Sequence, residues 1–227
     1  MKLSIVATPI GNLGDITFRA VKILKEVDLI LCEDTRVTIK LLNHYQIKKP
    51  LLSYHQRSKL SRVEKIIEHL EAGKELALVT DAGTPGLSDP GGKLIAELEK
   101  HFKERIEIVS VPGASALAAA VSIAGINLSK FTFLGFPPNK KGRETFFNYV
   151  LDSELPIIYY ESPYRFMKNL ELIQGLNNGK KKKINLVVCR ELTKKFESVK
   201  KGSLDKILDF YKNNLDKVRG EFVVVVY

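Results

Sequence analysis

The stretch from Leu76 to Gly92, LALVTDAGTPGLSDPGG, constrains the chain more than any other. Leu76–Val79 is a short apolar run between charged flanks, which predicts a buried strand ending at Thr80 and Asp81. The loop beyond it carries Gly83, Gly86, Gly91 and Gly92 together with Pro85 and Pro90. Glycines let main chain come within contact distance of a ligand, and prolines stiffen it there. Because ligands of open α/β sheets sit beyond the carboxyl ends of strands, this loop is the first place to expect a site.

The same strand, loop and helix rhythm runs through the first half. Predicted strands at Leu3–Ala7, Val27–Cys32, Leu51–Tyr54, Leu76–Val79 and Ile106–Val111 alternate with helices at Phe18–Lys25, Val37–Tyr45, Arg62–Glu71 and about Gly92–Lys100. Asp15 and Thr17 are candidate caps for the first helix. Alternation of this kind implies parallel pairing with right-handed crossovers. At Pro112-Gly113-Ala114-Ser115 the pattern breaks, and a helix of small residues, Leu117–Ala124, follows. A division into domains at 1–112 and 113–227 is expected. Beyond it, strands are predicted at Phe131–Phe136, Ile157–Glu161, Ile184–Arg190 and Phe222–Tyr227, with a looser one at Lys195–Lys201. Helices fit at Arg143–Leu151, Arg165–Leu176 and Leu204–Tyr211.

Composition narrows the class. With 44% hydrophobic residues in 227, the chain can build a sizeable core, as one large α/β domain or two small ones. No apolar run approaches the ~18 residues that span a bilayer, so no membrane partner is expected. Cys32 and Cys189 lie far apart inside apolar runs and read as buried thiols. They form neither a disulfide framework nor a metal cluster; with no leader pattern before the first strand, a cytoplasmic location is expected. Charge is distributed unevenly: 17 basic against 15 acidic residues up to Pro112, then 19 against 11, so +8 of the net +10 lies in the second part. A basic field of that size attracts polyanions such as nucleic acid.

Three loops, Thr8–Gly14, Asp81–Gly92 and Pro112–Ser115, are expected to meet above the first sheet. Glu33, Asp34, Arg36 and His55 fall at neighbouring strand ends. Acid, base and cation at one rim suggest proton transfer beside an anionic substrate, and a salt-bridged surface edge is the other reading. The spacing in Gly11-Asn12-Leu13-Gly14 is G-x-x-G with Thr8-Pro9 ahead of it, so a dinucleotide turn is not specified. Zinc spacing, a P-loop lysine and a nucleophile elbow are all absent from the sequence.

Taken together, TPIGNLGDIT, EDTR, SYH, TDAGTPGLSDPG, PGAS, YESPYRF, RELTK and the closing GEF resemble the ribosomal RNA small subunit methyltransferase I family, from Leu3 to Tyr227. The resemblance implies two α/β domains of the tetrapyrrole methylase type holding S-adenosylmethionine in the cleft between them. It implies 2′-O-methylation of a cytidine ribose in 16S rRNA, either free or in the assembled small subunit, by a homodimer. Ile10, Ala82, Gly83, Thr84 and Leu87 would contact the cofactor from the N-terminal domain, largely through main chain. Ser115, Ala116, Tyr160 and Leu192 would complete the contact. For the reaction, His55, Glu33 or Asp34 is expected to assist deprotonation, while Arg36, Arg165, Arg190 and Lys194 hold phosphates. Relatives often carry a further small C-terminal domain after the region equivalent to GEFVVVVY, where this sequence stops. Two alternatives stay open: a tetrapyrrole C-methyltransferase of the same fold, and a non-catalytic RNA-binding or assembly factor.

Overall fold

A computed structural model describes residues 1–55, 60–180 and 182–227. It divides into two compact units, Met1–Ser115 and Ala116–Tyr227. Pro112–Ser115 stays with the first unit because its neighbours tie it there. Ala7 N donates to Val111 O at 3.1 Å and Thr84 Oγ1 donates to Ala114 O at 3.0 Å.

The first unit runs β1 (Lys2–Val6), α1 (Phe18–Glu26), β2 (Leu29–Cys32), α2 (Thr35–His44), β3 (Leu51–Ser53), α3 (Leu60–Glu71), β4 (Glu75–Leu78), α4 (Gly91–Phe102) and β5 (Glu107–Val111). Its five strands form one sheet in the order β3-β2-β4-β1-β5, every pairing parallel. Both faces are covered, which is why these strands read as continuous apolar runs without alternation. Leu29, Leu31, Leu76 and Leu78 pack with Ile66 and Leu70 of α3 and Leu94 and Leu98 of α4. On the opposite face, Ile30, Cys32 and Ala77 pack with Ala20 and Leu24 of α1 and Leu42 of α2. Thus β4 lies between β1 and β2, yet its helix leaves toward the other face. Strand ends whose connections diverge in this way open a crevice at the carboxyl edge. Of the two candidate caps, Thr17 holds α1, its Oγ1 accepting from Ala20 N at 3.0 Å. Asp15 instead lies in a short 3₁₀ turn capped by Asn12.

The second unit runs α5 (Ala116–Ile123), β6 (Thr132–Phe133), α6 (Arg143–Asp152), β7 (Ile157–Glu161), α7 (Pro163–Lys180), β8 (Asn185–Arg190), β9 (Ser198–Ser203), α8 (Leu204–Lys212) and β10 (Phe222–Val226). The sheet order is β6-β7-β10-β8-β9, and here uniform parallel pairing fails. β6 and β7 are parallel, but β10 runs antiparallel to both β7 and β8, as β9 does to β8. One connection explains the difference. Residues 191–197 join β8 to β9 without a helix, and so short a link returns the chain antiparallel. The crossover through α8 then delivers β10 parallel to β9, which makes it antiparallel to the strands it separates. β6 is shorter than predicted, and the strand expected at Lys195–Lys201 lies at Ser198–Ser203.

Helices α6, α7 and α8 cover one face of this sheet. At its centre Phe166 of α7 stacks on Phe222 of β10, ring centroids 4.2 Å apart and 5° from coplanar, with Tyr211 edge-on to Phe166 at 4.7 Å. All three rings are buried. Phe166→Ala would leave a cavity at the junction of α7, α8 and β10, and is expected to cost about 3–5 kcal/mol in urea unfolding, read as a lower midpoint with an unchanged slope.

Candidate functional site

Three loops meet at the carboxyl edge of the first unit, as their strand order requires. Thr8 N donates to Gly83 O at 2.9 Å and Gly83 N donates back to Thr8 O at 3.0 Å, an antiparallel bridge between the loops after β1 and β4. The buried Thr8 hydroxyl adds a bond to Thr80 O at 3.1 Å. Thr84 secures the loop after β5 through Ala114 O. Gly83 has φ 85°, and a Cβ placed on it would stand 3.3 Å from Ile10 Cγ2 and 3.7 Å from Ala114 O. Main chain is therefore what this loop presents around Ala82, Gly83 and Thr84. Leu87 lies farther along, exposed on the same loop. Asp89 staples the loop's end by accepting from Gly86 N at 2.8 Å and Gly91 N at 2.7 Å.

Carboxylates border these loops. The end of β2 and the end of β4 are cross-linked: Thr80 Oγ1 donates to Glu33 Oε2 at 3.2 Å, and Asp34 N donates to Asp81 Oδ1 at 3.0 Å. Asp34 also caps α2, accepting from Arg36 N at 2.8 Å, and pairs with the Arg36 guanidinium at 2.6 Å. Those bonds from Arg36 hold its carboxyl down at about 2. Glu33 moves the other way. Burial raises its pKa first and the nearby Asp81 charge adds to it, while Thr80 and His55 pull weakly downward. Burial likewise raises Asp81. The structure therefore brings Glu33 and His55 into one electrostatic environment and commits Asp34 to structure. Thr80, Asp81 and Asp89 were not singled out as site residues in the sequence. The one-residue interval in Asp89-Pro90-Gly91 is the signal for Asp89, since an aspartate side chain reaches the amide two residues on.

In the second unit Tyr160 ends β7, its ring edge-on to Phe133 at 4.9 Å and to Phe136 at 5.4 Å. Ala116 opens α5. Leu192 is buried between two residues in left-handed backbone, Glu191 at φ 52° and Thr193 at φ 66°. Such conformations cost about 1–3 kcal/mol each for residues other than glycine and persist only where the surroundings impose them. Here Glu191 Oε1 accepts from Glu221 N at 2.9 Å and from Lys194 Nζ at 3.0 Å, and Lys194 reaches Glu221 at 2.8 Å. Gly220 makes this possible, for a Cβ there would lie 2.3 Å from Glu191 Cδ. RELTK and GEF are thus two sides of one clamp.

The four predicted phosphate-binding cations are differently placed. Arg36 is exposed, with only one edge of its guanidinium on Asp34. Arg190 donates to Arg219 O at 2.7 Å and Phe196 O at 3.1 Å. Arg165 donates to Ser162 Oγ at 3.2 Å, to Pro137 O at 2.9 Å and to Asn139 Oδ1, above the buried Glu161. Lys194 joins the clamp just described. No group of three or more metal-ligating side chains occurs among the described residues, and no helix among them is long and apolar enough to cross a membrane.

Residues 2–208 match the profile of the Tetrapyrrole (Corrin/Porphyrin) Methylases. The chain is 42% identical over 225 residues to a Thermotoga maritima protein named Ribosomal RNA small subunit methyltransferase I, aligning 99% of this chain with 97% of that one. A Bacillus subtilis protein of the same name is 42% identical over 226 residues, covering 99% of this chain and 74% of its own length. Among solved structures, the methyltransferase CobJ aligns with a TM-score of 0.70 at 20% identity, over 99% of this chain and 92% of its own. The cobalt precorrin-4 methyltransferase CbiF aligns at 0.67 and 19%, over 99% and 94%. At such identities these two likenesses speak for the fold alone.

The carboxylate environment has a measurable consequence. A folded chain that holds the Glu33 proton more tightly than the unfolded one loses stability as pH rises from the ordinary 4.5 through the folded value. Glu33→Gln removes this dependence. In urea titrations between about pH 4 and 7, the stability of the wild type relative to Glu33→Gln is expected to fall with rising pH.

Proposed function

The chain belongs to the Tetrapyrrole (Corrin/Porphyrin) Methylases and, within them, to the ribosomal RNA small subunit methyltransferase I family, and from that premise we propose that it methylates the 2′-oxygen of a cytidine ribose in 16S rRNA, using S-adenosylmethionine. The observation that carries the reading is the loop edge of the first unit, where Gly83, at φ 85°, is bridged to Thr8 and a Cβ on it would press on Ile10 at 3.3 Å. A neutral, main-chain-lined cradle of that kind fits an adenosyl sulfonium better than a pyrophosphate, which calls for a helix N-terminus and cationic partners.

Ile10, Ala82, Gly83, Thr84, Leu87 and Ser115 of the first unit would hold the cofactor. When bound, it supplies an electrophilic methyl group with its own leaving group. The chain's own task is placement of the ribose hydroxyl and removal of its proton. Glu33 fits the second role: Thr80 binds Oε2, which leaves Oε1 to take the 2′-hydroxyl proton, and burial makes this carboxylate more basic than an ordinary one. His55 is the companion candidate, near enough to bias Glu33. Asp34, held near 2 by Arg36, is a poor base and instead fixes the start of α2. Arg36 keeps the edge of its guanidinium opposite Asp34 for a phosphate, whereas Arg165, Arg190 and Lys194 act on RNA indirectly, by shaping loops.

Radiolabelled methyl transfer to small ribosomal subunits and to free 16S rRNA, followed by nuclease mapping, tests this reading. Label on a cytidine 2′-oxygen is expected. Label on a porphyrinoid offered in parallel, or cofactor binding without any transfer, would sink it. Gly83→Val separates the cradle from the fold: a branched side chain at φ 85° is strained and must press on Ile10. Calorimetry is expected to show S-adenosylmethionine affinity reduced by at least about tenfold, with a melting temperature lowered by only about 4–8 °C, as a strain of ~1 kcal/mol predicts for a unit of this size.

A further inference from the structure

Between β6 and α6 of the second unit runs Phe136-Pro137-Pro138-Asn139-Lys140-Lys141-Gly142-Arg143. Arg165 holds this segment to the start of α7 through Pro137 O and Asn139 Oδ1, while its Nε donates to Ser162 Oγ and Glu161 lies 3.5 Å away. The Arg165 side chain is only 19% exposed. It is therefore built into the protein as a clamp, and a phosphate would have to displace several acceptors to use it.

What the clamp displays is different in kind. Tyr164, next to Arg165, is 94% exposed, and Phe136 is 52% exposed. Arg165 ties the loop that follows Phe136 to the helix start that carries Tyr164, so both rings flank one clamp. Lys140 and Lys141 are exposed too. Among the described residues of this unit the lysines paired with carboxylates are Lys180, Lys182, Lys194 and Lys212, so neither of these two is neutralised. From Phe136 to Glu144 the chain carries three cations, Lys140, Lys141 and Arg143, against one acid, Glu144. Phe136 packs edge-on against Tyr160, so the patch adjoins the tyrosine assigned above to the cofactor.

We propose that Phe136–Arg143 and Tyr164 form the RNA-docking surface of this unit, Lys140 and Lys141 binding backbone phosphates while Phe136 and Tyr164 stack unpaired bases. Cations interleaved with exposed rings are the recognition chemistry of single-stranded RNA, whose phosphates and splayed bases both need partners. A duplex offers no free base faces, and an acidic protein needs no stacking platform. The inference rests on the reading that rRNA is the substrate.

Fluorescence anisotropy with labelled 16S rRNA transcript over a range of salt tests it in the full chain. Lys140→Glu/Lys141→Glu is expected to weaken binding by more than about tenfold and to reduce the slope of log affinity against log salt by about 1.4, two single-strand phosphates' worth of released counterions. Tyr164→Ala should weaken binding by about tenfold at an unchanged slope, because stacking releases no ions. Both variants should bind S-adenosylmethionine like the wild type in calorimetry. Wild-type affinity and slope in Lys140→Glu/Lys141→Glu, in a protein that methylates rRNA, would overturn the docking surface alone. A wild type that neither binds nor methylates rRNA would overturn it together with the function proposed above.

Discussion

The reciprocal main-chain pair between Thr8 and Gly83 is the contact on which the edge of the first unit depends. Parallel strands leave their carboxyl ends without mutual hydrogen bonds, so loops there need cross-links of their own. Thr8 provides two, one from its amide and one from its buried hydroxyl to Thr80 O. Glycine lets the bridge form without strain at φ 85° and without pressing on Ile10. Once that bridge is set, Thr84 brings in the loop after β5 and Asp89 ties off the far end of the glycine loop. The result is a rim of fixed main chain, suited to a ligand recognised by shape and by amide contacts.

Beside that rim, neighbouring carboxylates have been driven apart in their chemistry. Asp34 and Glu33 are adjacent in sequence, but one lies under Arg36 and the other under Thr80. Arg36 supplies bonds that favour the charged form, while burial of Glu33 disfavours it. The same pair of residues thus divides between holding a helix and being available to a proton. In the second unit cations show a parallel division. Arg165, Arg190 and Lys194 fix loops through carbonyls and carboxylates, and the lysines beyond the clamp stay at the surface.

Much of this was legible in the sequence. Apolar runs marked the strands of the first unit, and the glycine loop after Val79 marked the edge at which its loops are cross-linked, because both are local consequences of burial and of φ. Parallel pairing was expected where strands and helices alternate in the first unit, and the second unit departs from it for a simple reason. Alternating strands and helices imply parallel neighbours only while every link contains a helix, and the link after Arg190 does not. The partners of the cations were not legible for a related reason: residue type shows that an arginine can bind phosphate, but its neighbours are set by distant segments such as Pro137 and Asn139, which sequence spacing does not bring to it.

Sequence alone determined the two-part α/β character of this chain, the loops that meet at the edge of its first sheet and the family to which it belongs, since these follow from hydrophobic period, turn residues and ordered motifs. Tertiary structure alone decided which carboxylate is half-buried against Thr80 and which is paired with Arg36, that a Cβ at position 220 would collide with Glu191, and that Arg165 is a clamp whose loop presents Lys140 and Lys141. The physical reason is one of range. Backbone preferences act over a few residues, whereas burial, charge pairing and steric room arise only where segments far apart in the chain are brought within a few ångströms.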